Sequence, residues 1–212
     1  MSASRHTVLA RVRGALAGSD GAGAVAAEPR GYRRSTGEPQ EKLVERFAER
    51  VGEYRATVRR AAPEALERTL AALCQEAGAR RLGVPEGLPE GWRPDGVELV
   101  PDAGLTVDEL DGLDGTVSGC ALGIAETGTI VLDSGPRSGR RALTLVPDWH
   151  VCVVEQDAIV AGVPDAVAAL AEAAAEGRPL TFVSGPSATS DIELDRVEGV
   201  HGPRTLDVLV VA

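Results

Sequence analysis

Three short loops in the C-terminal half of the chain combine glycine with side chains that can bind or activate a small anion. They are residues 125–129 (Ala-Glu-Thr-Gly-Thr), residues 184–193, which open with Ser-Gly-Pro-Ser, and residues 199–203 (Gly-Val-His-Gly-Pro). Each adjoins a short β-branched run, which predicts that each lies at a strand end. Because ligands of open α/β sheets bind outside the strand ends, where glycines let backbone amides approach, the loops predict one converging pocket.

The first loop carries a candidate catalytic carboxylate, Glu126, directly before a buried run. A carboxylate at such a position is costly unless it is hydrogen-bonded, near a cation or open to a pocket. It could act as a general base or as a nucleophile, or it could only fix the turn by accepting backbone N–H bonds. Thr127, Gly128 and Thr129 offer hydroxyls and an open amide that suit a carboxylate or phosphate oxygen, and equally suit a tight turn.

Histidine is the side chain that titrates near neutral pH, and this chain has two candidates near strand ends. His201 lies between glycines, in a constrained turn that would present the ring, and it is the second predicted catalytic residue. His150 opens a buried run and is interpreted as a structural histidine. A metal site would need these rings to converge with Asp191 or Glu193, and because the spacing does not establish this, no metal ligand is predicted.

The second loop is predicted to bind the substrate through Ser184, Gly185, Ser187, Asp191 and Glu193. Ser187 could cap a helix whose first turn holds the two carboxylates, and the helix N-terminus would attract an anion. A serine nucleophile is not expected because the chain has no G-x-S-x-G motif.

Arginines follow the first strand run in a loop rich in glycine and serine. A guanidinium binds a planar carboxylate through two parallel hydrogen bonds, so Arg140 and Arg141 are further candidates for substrate binding. A solvated charge is the alternative for either of them.

The composition excludes several kinds of chemistry. A net charge of −10 and a pI near 4.9 argue against nucleic acid or an anionic membrane as the main partner. Lys42 is the only lysine, so the α/β region has none for Schiff-base or P-loop chemistry. Cys74, Cys120 and Cys152 have no CxxC spacing, which predicts three buried thiols in a reducing cytosol, and no iron–sulfur cluster or structural zinc in this chain.

The periodicity predicts a helical N-terminal segment (residues 1–60) and an α/β domain (residues 61–212). Helices are expected over 4–17, from Pro39 to about Arg60, from Pro63 to Gly78, from Thr106 to Leu113 with a capping box, and over 164–177. Strands are expected at 81–84, 97–100, 129–132, 150–154, 180–183 and 206–211. This alternation favours a mostly parallel sheet covered by helices. The N-terminus has no signal peptide and the chain has no long apolar run, so a cytoplasmic protein without a membrane span is expected.

Several segments together resemble the LUD-domain family of lactate utilisation protein C: AETGTIVL with the arginine-bearing loop after it, PDWHVCVVE, TFVSGPSATSDIEL and GVHGPRTLDVLVV. The likeness covers roughly residues 61–212. It implies a fold similar to the NagB/RpiA/CoA-transferase-like α/β proteins. It also implies that the chain works beside iron–sulfur proteins in the oxidation of L-lactate to pyruvate.

The leading hypothesis is a subunit of a bacterial L-lactate oxidation system that binds a small organic acid or assists iron–sulfur partners. The clusters are expected in those partners, because this chain shows neither a cysteine cluster nor a GxGxxG loop. One alternative is a self-sufficient acyl- or CoA-transferring enzyme that uses Glu126, and another is a noncatalytic scaffold. An oligomer is compatible with each.

Overall fold

The computed structural model describes residues 3–17, 31, 37–190, 196–199 and 201–212, and the chain divides into two compact units, Met1–Tyr32 and Arg33–Ala212. In the first unit, helix α1 (Ala3–Leu16) confirms the predicted N-terminal helix. The apolar side chains of α1 are exposed: Val8, Leu9, Val12 and Leu16.

The second unit is built on a six-stranded sheet in which every pair of neighbours is parallel. The strands, in spatial order, are β1 (Thr57–Ala61), β12 (Thr205–Val211), β7 (Trp149–Glu155), β4 (Gly115–Gly119), β2 (Arg81–Val84) and β3 (Glu98–Pro101). The central strands β7 and β12 are mostly apolar and are buried along nearly their whole length, as expected for parallel strands that are covered on both faces. The predicted α/β fold with a mostly parallel sheet is therefore confirmed, while the likeness to the NagB/RpiA group stays a prediction.

The helices of this unit surround the sheet. They are α2 (Gln40–Glu53), α3 (Leu66–Ala77), α4 (Val107–Asp111), α5 (Arg141–Leu145), α6 (Val163–Ala169) and α7 (Ala171–Ala175), with 3-10 turns at Pro63–Ala65, Glu90–Trp92 and Gln156–Ala158. The predicted capping box is present, since the Thr106 side chain accepts from Glu109 N–H while the Glu109 carboxylate accepts from Thr106 N–H. Helix α3 ends at Gly78, whose left-handed conformation supplies the predicted stop.

Alternate side chains of the central strands enter two separate cores. Val208 and Val210 of β12 pack with Phe47 of α2, whereas Leu209 of the same strand packs with Leu70 of α3. The α2 face is also covered by a second sheet of four strands: β8 (Ile159–Val160), β5 (Leu122–Ile124), β6 (Thr129–Leu132) and β9 (Thr181–Val183).

The second sheet corrects the expected place of two predicted strands. The runs at 129–132 and 180–183 do form strands, but β6 pairs antiparallel with both β5 and β9 outside the parallel sheet. A buried apolar run looks the same in either sheet, so its partner strand cannot be read from the run itself.

The helix expected to reach Arg60 is shorter than predicted. Helix α2 ends at Glu53, Arg55 takes a positive φ of 67°, and the next residues form the edge strand β1 beside β12. The spacing of Val58 from the apolar residues of α2 is helical, but its backbone pairs with β12, a strand far away in the sequence, and this pairing decides the local structure. Helix α2 and β1 also belong to the second unit, so this unit begins before the predicted boundary at residue 61.

Two further differences concern helices near the C-terminus. The helix predicted over 164–177 is divided at Leu170 into α6 and α7, and Val167 of α6 is 59% exposed. Ser187 caps no helix, because Ala188–Ser190 forms strand β10, antiparallel to β11 (Arg196–Glu198).

The turn at Gly128 provides a test of this packing. Gly128 has a φ of +61°, and a Cβ atom there would lie 2.6 Å from the backbone of Arg50 and Val51 in α2. We expect Gly128→Ala to lower the free energy of unfolding by about 1–3 kcal/mol, because neither the turn nor the backbone of α2 can move aside without losing other contacts. Urea denaturation measures this difference.

Gly112→Ala is the matched control. Gly112 has an ordinary φ of −78°, and the nearest atom to an added Cβ is 3.5 Å away. Equal stability losses in the two variants would contradict the tight approach of the turn to α2.

Candidate functional site

One cleft brings together several of the side chains predicted from the sequence. It has a volume of about 290 Å³ and is lined by helix α5 from Arg141, by His150, by residues 181–187 and by residues 201–203. We refer to it as the amino-edge cleft. Of the predicted residues it contains Arg141, Ser184, Gly185, Ser187 and His201.

The cleft lies at the amino ends of the central strands. His150 is the second residue of β7, and residues 201–203 immediately precede β12. The sequence analysis expected the opposite edge, where parallel strands end. That expectation was wrong because the loop after residue 183 leaves a strand of the second sheet, and the loop at 199–203 enters the parallel sheet.

Ser187 joins the two loops of the cleft. Its hydroxyl accepts a hydrogen bond from His201 N–H at 2.8 Å, and its own N–H donates to the Pro203 carbonyl, also at 2.8 Å. The Ser187 carbonyl accepts from Gly199 N–H at 3.0 Å. These bonds hold the His201 backbone at the cleft while leaving its exposed imidazole without a hydrogen bond to any described residue.

The rest of the second loop is held by packing and by hydroxyl contacts. Gly185 has a φ of +81°, and a Cβ there would lie 2.5 Å from the Tyr54 side chain. Ser184 Oγ lies 2.9 Å from Thr129 Oγ1, which in turn lies 2.7 Å from Thr127 Oγ1. The first loop therefore contacts the cleft only indirectly, through the hydroxyl of Thr129, which helps to position Ser184.

The predicted catalytic carboxylate is not among the described residues that line the cleft. Glu126 is exposed, its N–H donates to the Ala161 carbonyl at 3.1 Å, and its side chain lies beside Gly162. Gly128 packs against α2 instead of facing a ligand. Asp191 and Glu193 lie outside the described residues.

The structure separates the two adjacent arginines that the sequence could not distinguish. Arg140 Nε and one terminal nitrogen donate to the Asp102 carboxylate at 2.6 and 2.7 Å, and the Asp102 side chain is only 2% exposed. This hydrogen-bonded pair raises the pKa of Arg140. Arg141, at the first turn of α5, is exposed and has no side-chain hydrogen bond or ion pair with the described part of the chain. Its guanidinium is thus available to a ligand.

His150 is the functional candidate that the sequence analysis underrated. Its side chain is buried, and Nε2 lies 2.8 Å from Ser118 Oγ on the neighbouring strand β4. Burial lowers the pKa of His150 to about 4, so the ring is neutral at neutral pH. The available signal was a histidine directly before the buried run Val151–Val154, where an apolar side chain would suffice for a purely structural strand.

A larger cavity of about 430 Å³ lies at the carboxyl ends of β2 and β3. Its arginines are already paired, because Arg140 binds Asp102 and Arg178 binds Asp133 and Glu176. The hydrogen bonds from Gly135 N–H, Ser138 and Arg178 outweigh desolvation, which acts in the opposite direction, and lower the pKa of Asp133.

The loop around Pro136 covers this carboxyl edge. The Pro136 carbonyl accepts from Gly87 N–H after β2 at 3.1 Å, and the Arg137 carbonyl accepts from Gly119 N–H at the end of β4 at 2.9 Å. These are the strands between which the strand order reverses, where open α/β sheets commonly bind ligands. Because the loop uses these amides, the amino-edge cleft is the better candidate site.

The cysteines are buried and unpaired, as predicted. Burial raises the pKa of Cys74 to about 11, and the pKa of Cys152 is raised by its contact with Cys120 and by burial. Such thiols are poor nucleophiles and ligands. Within the described ranges, no three His, Cys, Asp or Glu side chains are grouped to hold a metal ion, and no helix is long and apolar enough to cross a membrane.

Comparison with known proteins gives consistent results. A sequence model of the family described as the LUD domain matches residues 106–211. Lactate utilization protein C of Deinococcus radiodurans is 47% identical over 171 residues, which cover 80% of each chain. Lactate utilization protein C of Shouchella clausii is 30% identical over 113 residues, 52% of this chain and 49% of the relative. The crystal structure of a DUF162 family protein from Deinococcus radiodurans matches with a TM-score of 0.73 and 40% sequence identity, covering 82% of this chain and 99% of that chain.

The buried ring of His150 predicts a pH dependence of stability. Its pKa is about 4 in the folded protein against 6.5 ordinarily, so between these values the unfolded chain binds a proton that the folded chain does not. The contribution is fully present above pH 6.5 and is lost as the pH falls toward 4. The wild-type protein should therefore lose roughly 3 kcal/mol of its free energy of unfolding as the pH falls from 7 to 4, and we expect His150→Gln to remove this loss.

Urea denaturation of wild type and variant at pH 7 and pH 4.5 measures this effect. His201→Gln, which removes an exposed ring from the same cleft, is the matched control. Equal losses on acidification for wild type and His150→Gln would show that folding does not lower the pKa of His150.

Proposed function

This chain belongs to the LUD-domain family, and on that premise we propose that it is a component of a bacterial L-lactate utilisation system. In this proposal the system oxidises L-lactate to pyruvate together with iron–sulfur partner proteins. The chain itself binds the small organic acid in the amino-edge cleft. The observation that carries the proposal is the guanidinium of Arg141, which has no hydrogen bond or ion pair with a described residue and lies in a cleft with two histidines.

The cleft has the chemistry that a small carboxylic acid requires. Arg141 supplies a positive charge in a chain with a net charge of −10, and a guanidinium can bind both oxygens of a carboxylate. Phe182 and Val183 form an apolar part of the wall that suits a short alkyl group. A volume of about 290 Å³ is at the lower end for ligand sites, which favours a small ligand.

The histidines would have different tasks in this arrangement. His201 is exposed on a loop whose backbone is fixed by Ser187, so its ring can approach a ligand from the open side. His150 is buried in the wall and neutral at neutral pH. A neutral ring favours hydrogen bonding to the ligand over charge pairing.

The electrons of the oxidation would leave through the partners. The sequence has neither cysteine clusters nor a GxGxxG loop, which are the usual signatures of iron–sulfur and dinucleotide sites. We therefore assign this chain to acid binding and to assisting the partners. The CoA-transferase-like alternative would use Glu126, whose exposed side chain lies beside Gly162 and is not one of the described cleft residues.

Removing the charge of Arg141 tests the acid-binding site. We expect Arg141→Gln to weaken L-lactate binding to the full chain by about 10- to 100-fold, because a hydrogen bond to a charged group is lost. Isothermal titration calorimetry measures the affinity, and growth on lactate of a strain carrying the variant measures the consequence. Arg68→Gln, at an exposed position of α3, is the control. Unchanged binding in Arg141→Gln would remove the cleft from the proposal.

The division of labour has its own test. We expect the purified chain alone not to reduce an artificial electron acceptor with L-lactate, and lactate-dependent reduction to start when the iron–sulfur partners are added. The assay is dye bleaching followed by absorbance. Turnover by the isolated chain would overturn the assignment of the redox step to the partners. Loss of a CoA-transfer activity in Glu126→Gln would support the alternative enzyme.

A further inference from the structure

His150 presents one ring nitrogen to the protein interior and the other to the cleft. Nε2 is bonded to Ser118, whose side chain is fully buried in β4. Nδ1 has no hydrogen bond with a described residue. Nδ1 is also not among the polar atoms that are both closed off from solvent and without a partner. Because His150 lines the amino-edge cleft, the cleft is where a ligand can approach Nδ1.

The contacts of Ser118 favour a proton on one nitrogen of His150. The Ser118 hydroxyl lies 3.1 Å from the Gly119 carbonyl, to which it can donate, and this arrangement favours its oxygen as the acceptor from His150 Nε2–H at 2.8 Å. In a neutral imidazole with the proton on Nε2, Nδ1 is a pure acceptor. The ring stays neutral because protonation would place a charge in a buried position.

The other polar side chains of the cleft wall have different hydrogen-bonding roles. Arg141 can only donate, the hydroxyls of Ser184 and Ser187 are engaged with Thr129 and with the His201 backbone, and Thr144 Oγ1 lies 3.4 Å from the Arg141 carbonyl. The hydroxyl of Thr181 and the ring of His201 also line the cleft, but neither side chain is buried in its wall. His150 Nδ1 is therefore an open acceptor beside a donor that binds carboxylates. This combination matches a ligand that carries a carboxylate and a hydroxyl group.

We infer that His150 Nδ1 accepts a hydrogen bond from the hydroxyl of a 2-hydroxy acid whose carboxylate binds Arg141. His150 is thereby the residue that distinguishes a 2-hydroxy acid from its 2-oxo and 2-deoxy counterparts, and Ser118 is the positioning residue that fixes the ring. The inference rests on the proposed function, since it requires an acid in the amino-edge cleft. A 2-oxo acid offers Nδ1 only an acceptor, and a 2-deoxy acid leaves it without a partner.

The experiment measures binding of L-lactate, pyruvate and propionate to the full chain by calorimetry. We expect wild type to bind L-lactate about tenfold more tightly than propionate, the value of one good hydrogen bond, and more tightly than pyruvate. His150→Phe keeps a planar ring without an acceptor, and we expect it to bind L-lactate and propionate with equal affinity.

Two β4 variants separate the role of the ring from general damage to the strand. Ser118→Ala removes the partner of Nε2, and we expect it to reduce the preference for L-lactate over propionate. Thr116→Val removes a buried hydroxyl that bonds the Leu143 carbonyl at 2.8 Å, and we expect it to keep the preference. Nitrogen-15 NMR of the ligand-free protein reports the tautomer directly, and we expect Nδ1 to be unprotonated in wild type and in Thr116→Val.

The outcomes distinguish this inference from the proposed function. Equal binding of L-lactate and propionate by wild type, an unchanged preference in His150→Phe, or a proton on Nδ1 would each overturn only the role of His150. If His150→Phe does not fold, an unchanged preference in Ser118→Ala overturns it instead. Failure of all three acids to bind wild type would overturn the proposed function, and the role of His150 with it.

Discussion

The pairing of β12 with β7 is the constraint on which the rest of the structure depends. Seven residues of the last strand align in parallel with Trp149–Glu155, and β12 lies between β7 and the edge strand β1. Leu206, Val208, Leu209 and Val210 are at most 1% exposed, and burying each such side chain contributes about 1.5–3 kcal/mol. The sheet is thus complete only when the C-terminal end of the chain is in place.

This register also builds the candidate site. It pairs Leu206 with His150 on one side of β7, and the parallel pairing of β4 places Thr116 opposite His150 on the other side of the strand. The loop that enters β12 is then carried to the amino end of β7, where Ser187 holds it. Fold stability and the geometry of the cleft therefore depend on the same backbone hydrogen bonds.

Polar side chains in the central strands are tolerated because nearly all of them have partners. Trp149 Nε1 donates to Asp207 at 2.7 Å, and the Thr116 hydroxyl donates to a backbone carbonyl at 2.8 Å. A buried polar group without a partner lowers the free energy of unfolding by about 1–3 kcal/mol, which explains why these side chains are hydrogen-bonded. His150 satisfies the rule with one nitrogen only, because Nε2 contacts Ser118 while the residue also lines the cleft, and this is the basis of its proposed role in binding.

The sequence by itself determined the elements whose signals are local. Pro63 opens the 3-10 turn that leads into α3, Gly78 ends that helix, Thr106 and Glu109 form the capping box, and the β-branched runs form strands. It also predicted that the serine-glycine loop and His201 lie near one site, because each adjoins a predicted strand, while the edge of the sheet that it gave was wrong. These features depend on neighbours within a few residues, so spacing and residue type are sufficient to predict them.

Only the tertiary structure decided which strands pair, at which edge the loops meet and which side chains remain available. The run at 57–61 became a strand through β12, and β6 joined a separate antiparallel sheet. Arg140 pairs with Asp102, which lies 38 residues away in the chain, whereas Arg141 lines the cleft without a hydrogen bond or ion pair to a described residue. Such outcomes depend on contacts between residues far apart in the chain. Local sequence does not specify them, because an apolar run can pair with several different strands and an arginine can bind several different carboxylates. Only the folded chain selects the partner.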